Sequence, residues 1–321
     1  MIGVTGGTGF VGQRLVERLV NRFPVRVLAL SMGQEAVPKV EYVMNDLTSR
    51  EAVNGFVRGC TSIIHMAGIA HSSLRTAAER ETSYGVNVEG TRTVLNAALR
   101  SGVRRFIFVS TAHVYDHHGL DLTEDATVGA SSFYADTKIQ AEALVSEAGK
   151  RGMESVIVRP CLIYGPGARF NLLSMMRGID ARYYFHLSGE APQRSFLSVE
   201  NASRAMSFLV SSATASGVYN LADKTPYSLV NFVNELADRM KRPRPLTMPS
   251  SLFQALCHAG SSIHKLGVNF PFTRETFAKL TSNFTLSIRR LAESGFEWDD
   301  DCGTPRQQMV DYYLASKQVS S

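Results

Sequence analysis

Tyr134 and Lys138 stand four positions apart and are the side chains in this sequence best suited to proton transfer. They fall within Phe133–Ala148, whose apolar spacing predicts an amphipathic helix, and residues four apart lie on one helix face. A phenol with a pKa of about 10 is a poor base at neutral pH, but a nearby ammonium favours the phenolate and lowers that pKa. The spacing therefore predicts a tyrosine whose acidity is tuned by a lysine.

A hydroxyl that could hold a substrate oxygen follows the predicted strand Arg105–Val109. Thr111 stands in this position and Ser110 is the alternative, since ligands of parallel sheets bind at the carboxyl ends of strands. A second Tyr-x-x-x-Lys pair, Tyr313 and Lys317, lies in a predicted terminal helix. We interpret this second pair as a coincidence, because only the first pair follows a glycine-rich turn and a strand that ends in Ser-Thr.

The glycine-rich turn is the element that organises the chain. A short apolar run, Ile2–Val4, predicts a buried strand, glycines follow at Gly6, Gly9 and Gly12, and Gln13–Val20 is apolar at helical spacing. Strand, glycine turn and helix form the context of a dinucleotide fingerprint, in which glycine lets backbone amides approach a pyrophosphate at a helix N-terminus. The spacing is G-x-x-G-x-x-G rather than G-x-G-x-x-G.

The run Thr5–Gly12 (TGGTGFVG) resembles the glycine motif of the extended short-chain dehydrogenase/reductases, the NAD-dependent epimerase/dehydratase family. The resemblance covers most of the chain, and it implies a catalytic triad of Thr111, Tyr134 and Lys138. It also implies an α/β fold, with a Rossmann-type, doubly wound parallel sheet and a smaller, mainly helical C-terminal substrate lobe. We expect residues 1–165, with 195–225 returning to them, to form the NAD(P)-binding domain, and 166–321 to form the lobe.

The resemblance also implies where the cofactor binds. The implied residues are Gly6, Thr8, Gly9, Phe10, Val11, Ser31, Asp46, Leu47, Met66, Ala67, Gly68, Asn87, Ser110, Tyr134, Lys138 and Pro160. The carboxylate of Asp46 either accepts from the adenine amine or caps the helix that follows Ser49. His65, within the similar His-x-Ala-Gly turn, is interpreted as structural.

The choice between NAD and NADP stays open. A carboxylate after the second strand would bind the NAD ribose and an arginine there would favour NADP, but Leu30, Ser31 and Met32 follow that strand. We expect NAD or NADP, with NAD slightly preferred.

Substrate binding is assigned to Thr111, His113, Tyr134, Asn171 and Arg194 by the same resemblance. Asn171 and Arg194 correspond to residues that bind a nucleotide-sugar diphosphate, and arginine suits bidentate phosphate binding. The 4,6-dehydratases of the family carry Asp-Glu directly after the catalytic threonine. Ala112 and His113 stand there instead, which excludes dehydration.

The segments Arg159–Asn201 and Leu280–Trp298 are most similar to nucleotide-sugar 4-epimerases and 4-ketoreductases. The predicted function is therefore hydride transfer at C4 of a nucleoside-diphosphate sugar. Two alternatives are a reductase of hydrophobic carbonyls and a non-catalytic NAD(P) sensor, although sensors usually lack the Tyr–Lys pair.

Composition narrows the function classes further. A net charge of +5 from scattered basic residues argues against nucleic-acid binding. Four separated cysteines without a C-x-x-C pair predict neither a disulfide framework nor a metal site, and no apolar stretch is long enough to span a membrane. Without a secretory signal we expect a cytoplasmic protein. The resemblance implies a homodimer through the predicted helices Glu81–Arg100 and Phe133–Ala148.

Overall fold

Seven parallel strands form the central sheet of the computed structural model, which describes residues 1–33, 36–70, 76–265 and 274–319. The strands are β1 (Ile2–Thr5), β2 (Val25–Ala29), β3 (Val40–Met44), β4 (Ser62–His65), β5 (Arg105–Val109), β7 (Glu154–Pro160) and β12 (Gly217–Leu221). Their order across the sheet is β12-β7-β5-β4-β1-β2-β3. Most are nearly continuous apolar runs, as expected of strands buried on both faces.

Helices cover both faces of this sheet. The helices are α1 (Phe10–Leu19), α2 (Arg50–Val57), α3 (Ala77–Tyr84), α4 (Thr91–Arg100), α5 (Phe133–Lys150), α6 (Asn171–Asp180), α7 (Val199–Ser211), α8 (Leu229–Arg239), α9 (Ser250–Lys265), α10 (Arg274–Thr281), α11 (Arg289–Glu293) and α12 (Gly303–Val319). α1 and α7 pack together on one face, and α2, α4 and α5 cover the other. The predicted doubly wound α/β fold is confirmed.

The remaining strands form small sheets outside the central one. They are β6 (Gly119–Leu122), β8 (Leu162–Tyr164), β9 (Phe185–Leu187), β10 (Gln193–Arg194), β11 (Phe196–Ser198), β13 (Tyr227–Ser228), β14 (Leu246–Met248) and β15 (Phe284–Leu286). β13, β10, β15 and β6 form a four-stranded sheet in that order, whereas β8 pairs with β11 and β9 with β14. The four-stranded sheet places Arg194 between Tyr227 and Phe284.

The long helix predicted over Glu81–Arg100 differs in the structure. It begins earlier, at Ala77, because Thr76 and Glu79 form a reciprocal capping box. Its middle, Gly85–Gly90, is a π-helical segment that separates α3 from α4. Such a segment inserts an extra residue into a helix and is frequent at functional sites.

The chain after residue 166 contributes to several hydrophobic cores. Leu172, Met176 and Phe232 pack in a core of their own together with α12. β12 pairs with β7 in the central sheet, and Leu291 and Phe296 pack in the same core as β1 and α1. Among the described residues, no helix combines the length and apolarity needed to cross a membrane.

Candidate active site

The glycine turn between β1 and α1 is packed too tightly for most side chains. Gly6 has φ +71°, and a Cβ on it would lie 2.9 Å from the Cα of Ala67. A Cβ on Gly12 would lie 2.2 Å from the carbonyl oxygen of Gly6, within the first turn of α1. A Cβ on Gly9 would meet only that oxygen, at 3.4 Å, so the space outside Gly9 is open.

This open space lies at the N-terminus of α1, which begins at Phe10 with Gly9 as its N-cap. The first amides of a helix have no partner within the helix and favour an anion. Backbone amides of Phe10 and Val11 are therefore available to a pyrophosphate. Their side chains point elsewhere: Phe10 packs with the core around Leu172, and Val11 packs with the core of β1.

The loop after β2 adjoins the glycine turn. A Cβ on Gly33 would lie 3.1 Å from the Thr8 carbonyl oxygen, so the loop that carries Ser31 after β2 folds against the turn. Leu30 is 75% exposed, which leaves the predicted ribose region open to solvent. Pro160 ends β7 and is buried.

Asp46 takes part in the turn before α2. Its Oδ1 accepts from the backbone N–H and from the hydroxyl of Thr48, both at 2.7 Å. Ser49 is the N-cap of α2, and its Oγ accepts from the Ala52 amide. Asp46 therefore stabilises the turn that precedes α2, but the N-cap of α2 is Ser49. Leu47 is buried in the core that covers this face of the sheet.

The segment after β4 is held by Asn87 from the π-helical segment. Asn87 Oδ1 accepts from the Ile69 amide at 2.8 Å, and Asn87 Nδ2 donates to the Ile69 carbonyl at 3.1 Å. A Cβ on Gly68 would lie 3.0 Å from Asn87 Oδ1 and 4.0 Å from Lys138 Nζ. Glycine at this position therefore allows the segment to lie against both Asn87 and Lys138. Met66 packs with the core of β1.

Lys138 is 4% exposed, and its Nζ lies 4.2 Å from the centre of the Phe108 ring. Burial lowers the pKa of Lys138 to about 7, and the nearby carboxylate of Glu142 opposes this shift. Glu142 is itself bound by Arg159, at 3.1 Å and 2.7 Å. The folded chain therefore favours the neutral amine of Lys138 more than water does.

Tyr134 corrects one expectation. Burial raises its pKa to about 12, whereas the Tyr–Lys spacing predicted a lowered pKa. The spacing identified the shared helix face but not the loss of water around the phenol, which disfavours the phenolate. In this state Tyr134 is a neutral phenol, which suits proton donation to an alkoxide better than proton removal from an alcohol.

The predicted hydroxyl residues lie at the end of β5, where a short 3-10 turn, Ala112–Val114, begins. Thr111 caps this turn, its Oγ1 accepting from the His113 amide at 3.2 Å, and α5 packs against the turn. Ser110 Oγ is buried and has no hydrogen-bond partner among the described residues. A buried hydroxyl without a partner is costly in an isolated chain, which is consistent with a ligand group at this position.

The predicted substrate residues Arg194 and Asn171 lie on separate elements of the predicted lobe, and His113 lies in the turn after β5. Arg194 is half-buried beside Tyr184; burial lowers the pKa of Arg194 and the tyrosine opposes this. Burial raises the pKa of Tyr184 to about 12. Asn171 is the first residue of α6 and is exposed, as is His113.

The sequence interpretation did not identify Tyr184 or Phe108, because neither belongs to a recognisable motif. Within the described ranges, no cluster of three potential metal ligands occurs.

Residues 2–222 match the family model described as the NAD dependent epimerase/dehydratase family. A UDP-glucose 4-epimerase of Vibrio cholerae is 30% identical over 75% of this chain and 76% of its own length. A 4-hydroxy-2-methyl-3-oxo-4-farnesyl-3,4-dihydroquinoline-1-oxide ketoreductase of Stigmatella aurantiaca is 30% identical over 81% of this chain and 79% of its own length.

A 3beta-hydroxysteroid-dehydrogenase/decarboxylase of Arabidopsis thaliana is 28% identical over 82% of this chain, which spans about half, 52%, of that protein. Among solved structures, a dTDP-glucose 4,6-dehydratase from Streptomyces venezuelae with NAD bound has a TM-score of 0.77 at 20% identity, over 99% of this chain and 98% of that one. The fold is therefore shared with structures that hold NAD.

Proposed function

The chain belongs to the NAD-dependent epimerase/dehydratase family of enzymes, and from this premise we propose that it transfers a hydride at C4 of a nucleoside-diphosphate sugar. When bound, the nicotinamide supplies or accepts the hydride. The tight turn at Gly6 and Gly12, the open space outside Gly9 and the buried Ser110 hydroxyl support binding of a dinucleotide there. Thr111, Tyr134 and Lys138 are the proposed catalytic residues.

Tyr134 moves the proton in this proposal. In the direction of reduction, the C4 carbonyl carbon gains a hydride and its oxygen takes the phenolic proton, leaving a phenolate that regains a proton from solvent. A neutral phenol, with its pKa raised to about 12, suits this direction. Thr111 holds the oxygen by a hydrogen bond, and Lys138 stabilises the phenolate in its charged form.

Lys138 is suited to exchange a proton during turnover. Its pKa of about 7 lets both protonation states occur near neutral pH. An epimerase would use the same residues twice, first removing and then returning the C4 hydrogen. The triad serves both reactions, so the proposal covers a 4-epimerase and a 4-ketoreductase.

Arg194 is the observation that carries the nucleotide-sugar proposal. Its half-buried guanidinium lies on a strand between β13 and β15, beside the buried phenol of Tyr184. A partly desolvated guanidinium of this kind is well suited to a diphosphate. Ala112 and His113, at the positions where dehydratases carry Asp-Glu, argue against dehydration although the fold is shared with a dehydratase.

Reduction of a hydrophobic carbonyl is the second candidate. It is favoured by the Stigmatella ketoreductase and the Arabidopsis sterol dehydrogenase, whose identities to this chain are similar to that of the Vibrio epimerase. Because these identities are so similar, they do not distinguish the two substrate classes.

Thermal shift in the presence of NADH or NADPH distinguishes the two candidates, because a ligand that binds the native state raises its melting temperature. We expect stabilisation by UDP-, GDP- or dTDP-sugars. Stabilisation by sterol or isoprenoid ketones, with none by nucleotide sugars, would favour the second candidate. The same cofactor is present in every sample, so that a difference in melting temperature reports on the substrate alone.

A further inference from the structure

His65, at the end of β4, is fully buried and makes hydrogen bonds with both ring nitrogens. Its Nδ1 lies 2.7 Å from Thr5 Oγ1, and its Nε2 lies 2.9 Å from Thr91 Oγ1. Thr5 is the last residue of β1 and Thr91 is the first residue of α4, so His65 joins two separate elements.

The positions of the protons follow from the neighbouring hydrogen bonds. Thr91 Oγ1 donates its only hydrogen to the Asn87 carbonyl at 2.6 Å, so it can only accept from His65 Nε2. The Nε2 of His65 therefore carries a proton. Thr5 Oγ1 accepts from the Ala67 amide at 3.2 Å and keeps its own hydrogen for His65 Nδ1. The Nε2 proton of His65 and the hydroxyl hydrogens of Thr5 and Thr91 then each have one acceptor, and the imidazole is neutral.

The surroundings of His65 oppose a charged imidazolium. The rings of Phe106 and Phe108 lie 5.8 Å and 5.9 Å from it, and Lys138 on α5 is the charged group that faces it. Burial, and then the charge of Lys138, lower the pKa of His65 to about 3. A proton added to Nδ1 would also leave the Thr5 hydroxyl without an acceptor.

The hydrogen bonds continue beyond His65 to both ends of the segment Ala67–Ile69. Thr5 holds the Ala67 amide, while Asn87, whose carbonyl receives the Thr91 hydroxyl, binds both backbone groups of Ile69. Asn87 Nδ2 also donates to Thr137 Oγ1 at 3.0 Å, and Thr137 donates to the Tyr134 carbonyl at 2.8 Å. We call Thr5, His65, Thr91 and Asn87 the His65 hydrogen-bond chain.

We propose that His65 is a positioning residue, held neutral with its proton on Nε2, that fixes the segment Ala67–Ile69 for cofactor binding by joining Thr5 to Thr91 and Asn87. The inference rests on the proposed function, in which Ala67 and Gly68 contact the cofactor. It goes beyond that function because it assigns the position of the segment Ala67–Ile69 relative to Tyr134 to one buried histidine. It also states which tautomer of that histidine is required.

Two variants each remove half of the connection. In His65→Asn the side-chain oxygen can still accept from the Thr5 hydroxyl, but the hydrogen bond to Thr91 Oγ1 is lost. In His65→Gln the side-chain amide can still donate to Thr91 Oγ1, but the hydrogen bond from the Thr5 hydroxyl is lost. Ile64→Ala is the control, since Ile64 is buried in the opposite core of the same strand. It costs about 2–5 kcal/mol of stability and leaves the His65 hydrogen-bond chain intact.

NADH or NADPH affinity is the first measurement, by fluorescence titration of the full chain. We expect each His65 variant to weaken binding by about tenfold, the effect of losing about one hydrogen bond to a positioned group. Ile64→Ala should stay within about twofold of wild type, despite an equal or larger loss of stability. His65 variants that bind as tightly as wild type, or a control that loses as much affinity, would overturn the proposal.

Nitrogen-15 NMR of protein labelled at histidine is the second measurement, and it does not depend on the cofactor. One of the eight histidines should keep a protonated Nε2 and a bare Nδ1 from pH 5 to pH 9, and its signal should vanish in His65→Gln. Titration of that histidine, or a proton on Nδ1, would overturn the proposal. A wild-type chain that binds neither NADH nor NADPH would instead contradict the proposed function, while the NMR result would still decide the tautomer.

Discussion

The ammonium of Lys138 lies 4.2 Å from the centre of the Phe108 ring, which also packs against His65. An aromatic ring attracts a cation, but it also replaces water that would solvate the charge. Here the loss of water has the larger effect, as the lowering of the Lys138 pKa to about 7 indicates. Phe108, a residue without chemistry of its own, therefore helps to set the protonation of the proposed active site.

This relationship predicts a pH-dependent stability for the cofactor-free protein. The pKa of Lys138 is about 7 in the folded chain and 10.5 ordinarily, so between these values the unfolded state binds the extra proton. Stability from this group therefore rises as pH increases from about 7 towards 10. Lys138→Met has no amine that must lose its proton on folding, so the advantage of the variant over wild type in unfolding free energy should shrink by about 3–4 kcal/mol between pH 7 and pH 10.

Urea unfolding of both proteins at several pH values tests this prediction. Other titrating groups are common to the two proteins and cancel in the difference. A difference that stays constant across the range would show that Lys138 is not desolvated as described.

The glycine turn offers a matched pair of variants. In Gly9→Ala the new Cβ meets only the Gly6 carbonyl oxygen, at 3.4 Å, so the chain should fold with a loss below about 1 kcal/mol, the effect of alanine at an N-cap. NADH binding should fall by at least about tenfold, because the methyl group occupies the space proposed for the pyrophosphate. Calorimetry and fluorescence titration measure the two effects separately.

Gly12→Ala should behave differently. Its Cβ would lie 2.2 Å from the Gly6 carbonyl oxygen, which forces the turn to move and costs about 1–3 kcal/mol as overpacking. Stability and binding should therefore fall together. Normal NADH binding by Gly9→Ala would place the pyrophosphate away from this turn.

The two Tyr-x-x-x-Lys pairs provide a second matched comparison. Tyr134→Phe removes the proposed proton donor and should reduce turnover by about 10²–10⁴-fold with NADH binding retained. In the second pair, Tyr313 donates to Asp180 at 3.1 Å and Lys317 also binds Asp180. Tyr313→Phe should therefore cost about 1 kcal/mol of stability and leave turnover unchanged.

Steady-state assays with a substrate identified by the ligand screen, together with thermal melting, separate these outcomes. Equal losses of turnover in the two variants would remove the special role of Tyr134. The Asp180 contacts give the second pair a structural role, since Tyr313 and Lys317 bind the last residue of α6 to α12. The interpretation of the second pair as a coincidence therefore omitted a structural role.

Sequence patterns were sufficient for the central sheet and for the glycine turn. Apolar runs bounded by turns locate β3 and β5 with the same ends as in the structure. β5 is a nearly continuous apolar run because it lies inside the sheet and is buried on both faces, whereas β3 is the edge strand and is half-buried or exposed. Local spacing also placed Tyr134 and Lys138 on one helix.

Effects that depend on distant residues were not predictable in this way. The partners of His65 lie 60 and 26 positions away, so a lone histidine at a strand end gave no sign of its role. The direction of the Tyr134 pKa shift depends on burial by several elements, which an i, i+4 spacing does not encode. The π-helical segment Gly85–Gly90 also lacks a recognisable local signal, since it is fixed by the contacts of Asn87 with Ile69 and Thr137.

Arg194 gives the prediction that bears most directly on the substrate. Arg194→Leu should raise the KM for a nucleotide sugar by about tenfold to a hundredfold, because hydrogen bonds to a charged group contribute about 1.5–3 kcal/mol. Arg194→Lys keeps the charge but loses the planar fork of the guanidinium, so its KM should be intermediate.

NADH affinity is the folding control and should match wild type in both variants, since Arg194 stands on the small four-stranded sheet rather than beside the glycine turn. The same variants should reduce a hydrophobic ketone as well as wild type does if the chain accepts one. An unchanged KM for the nucleotide sugar in Arg194→Leu would mean that the diphosphate is bound by residues other than Arg194.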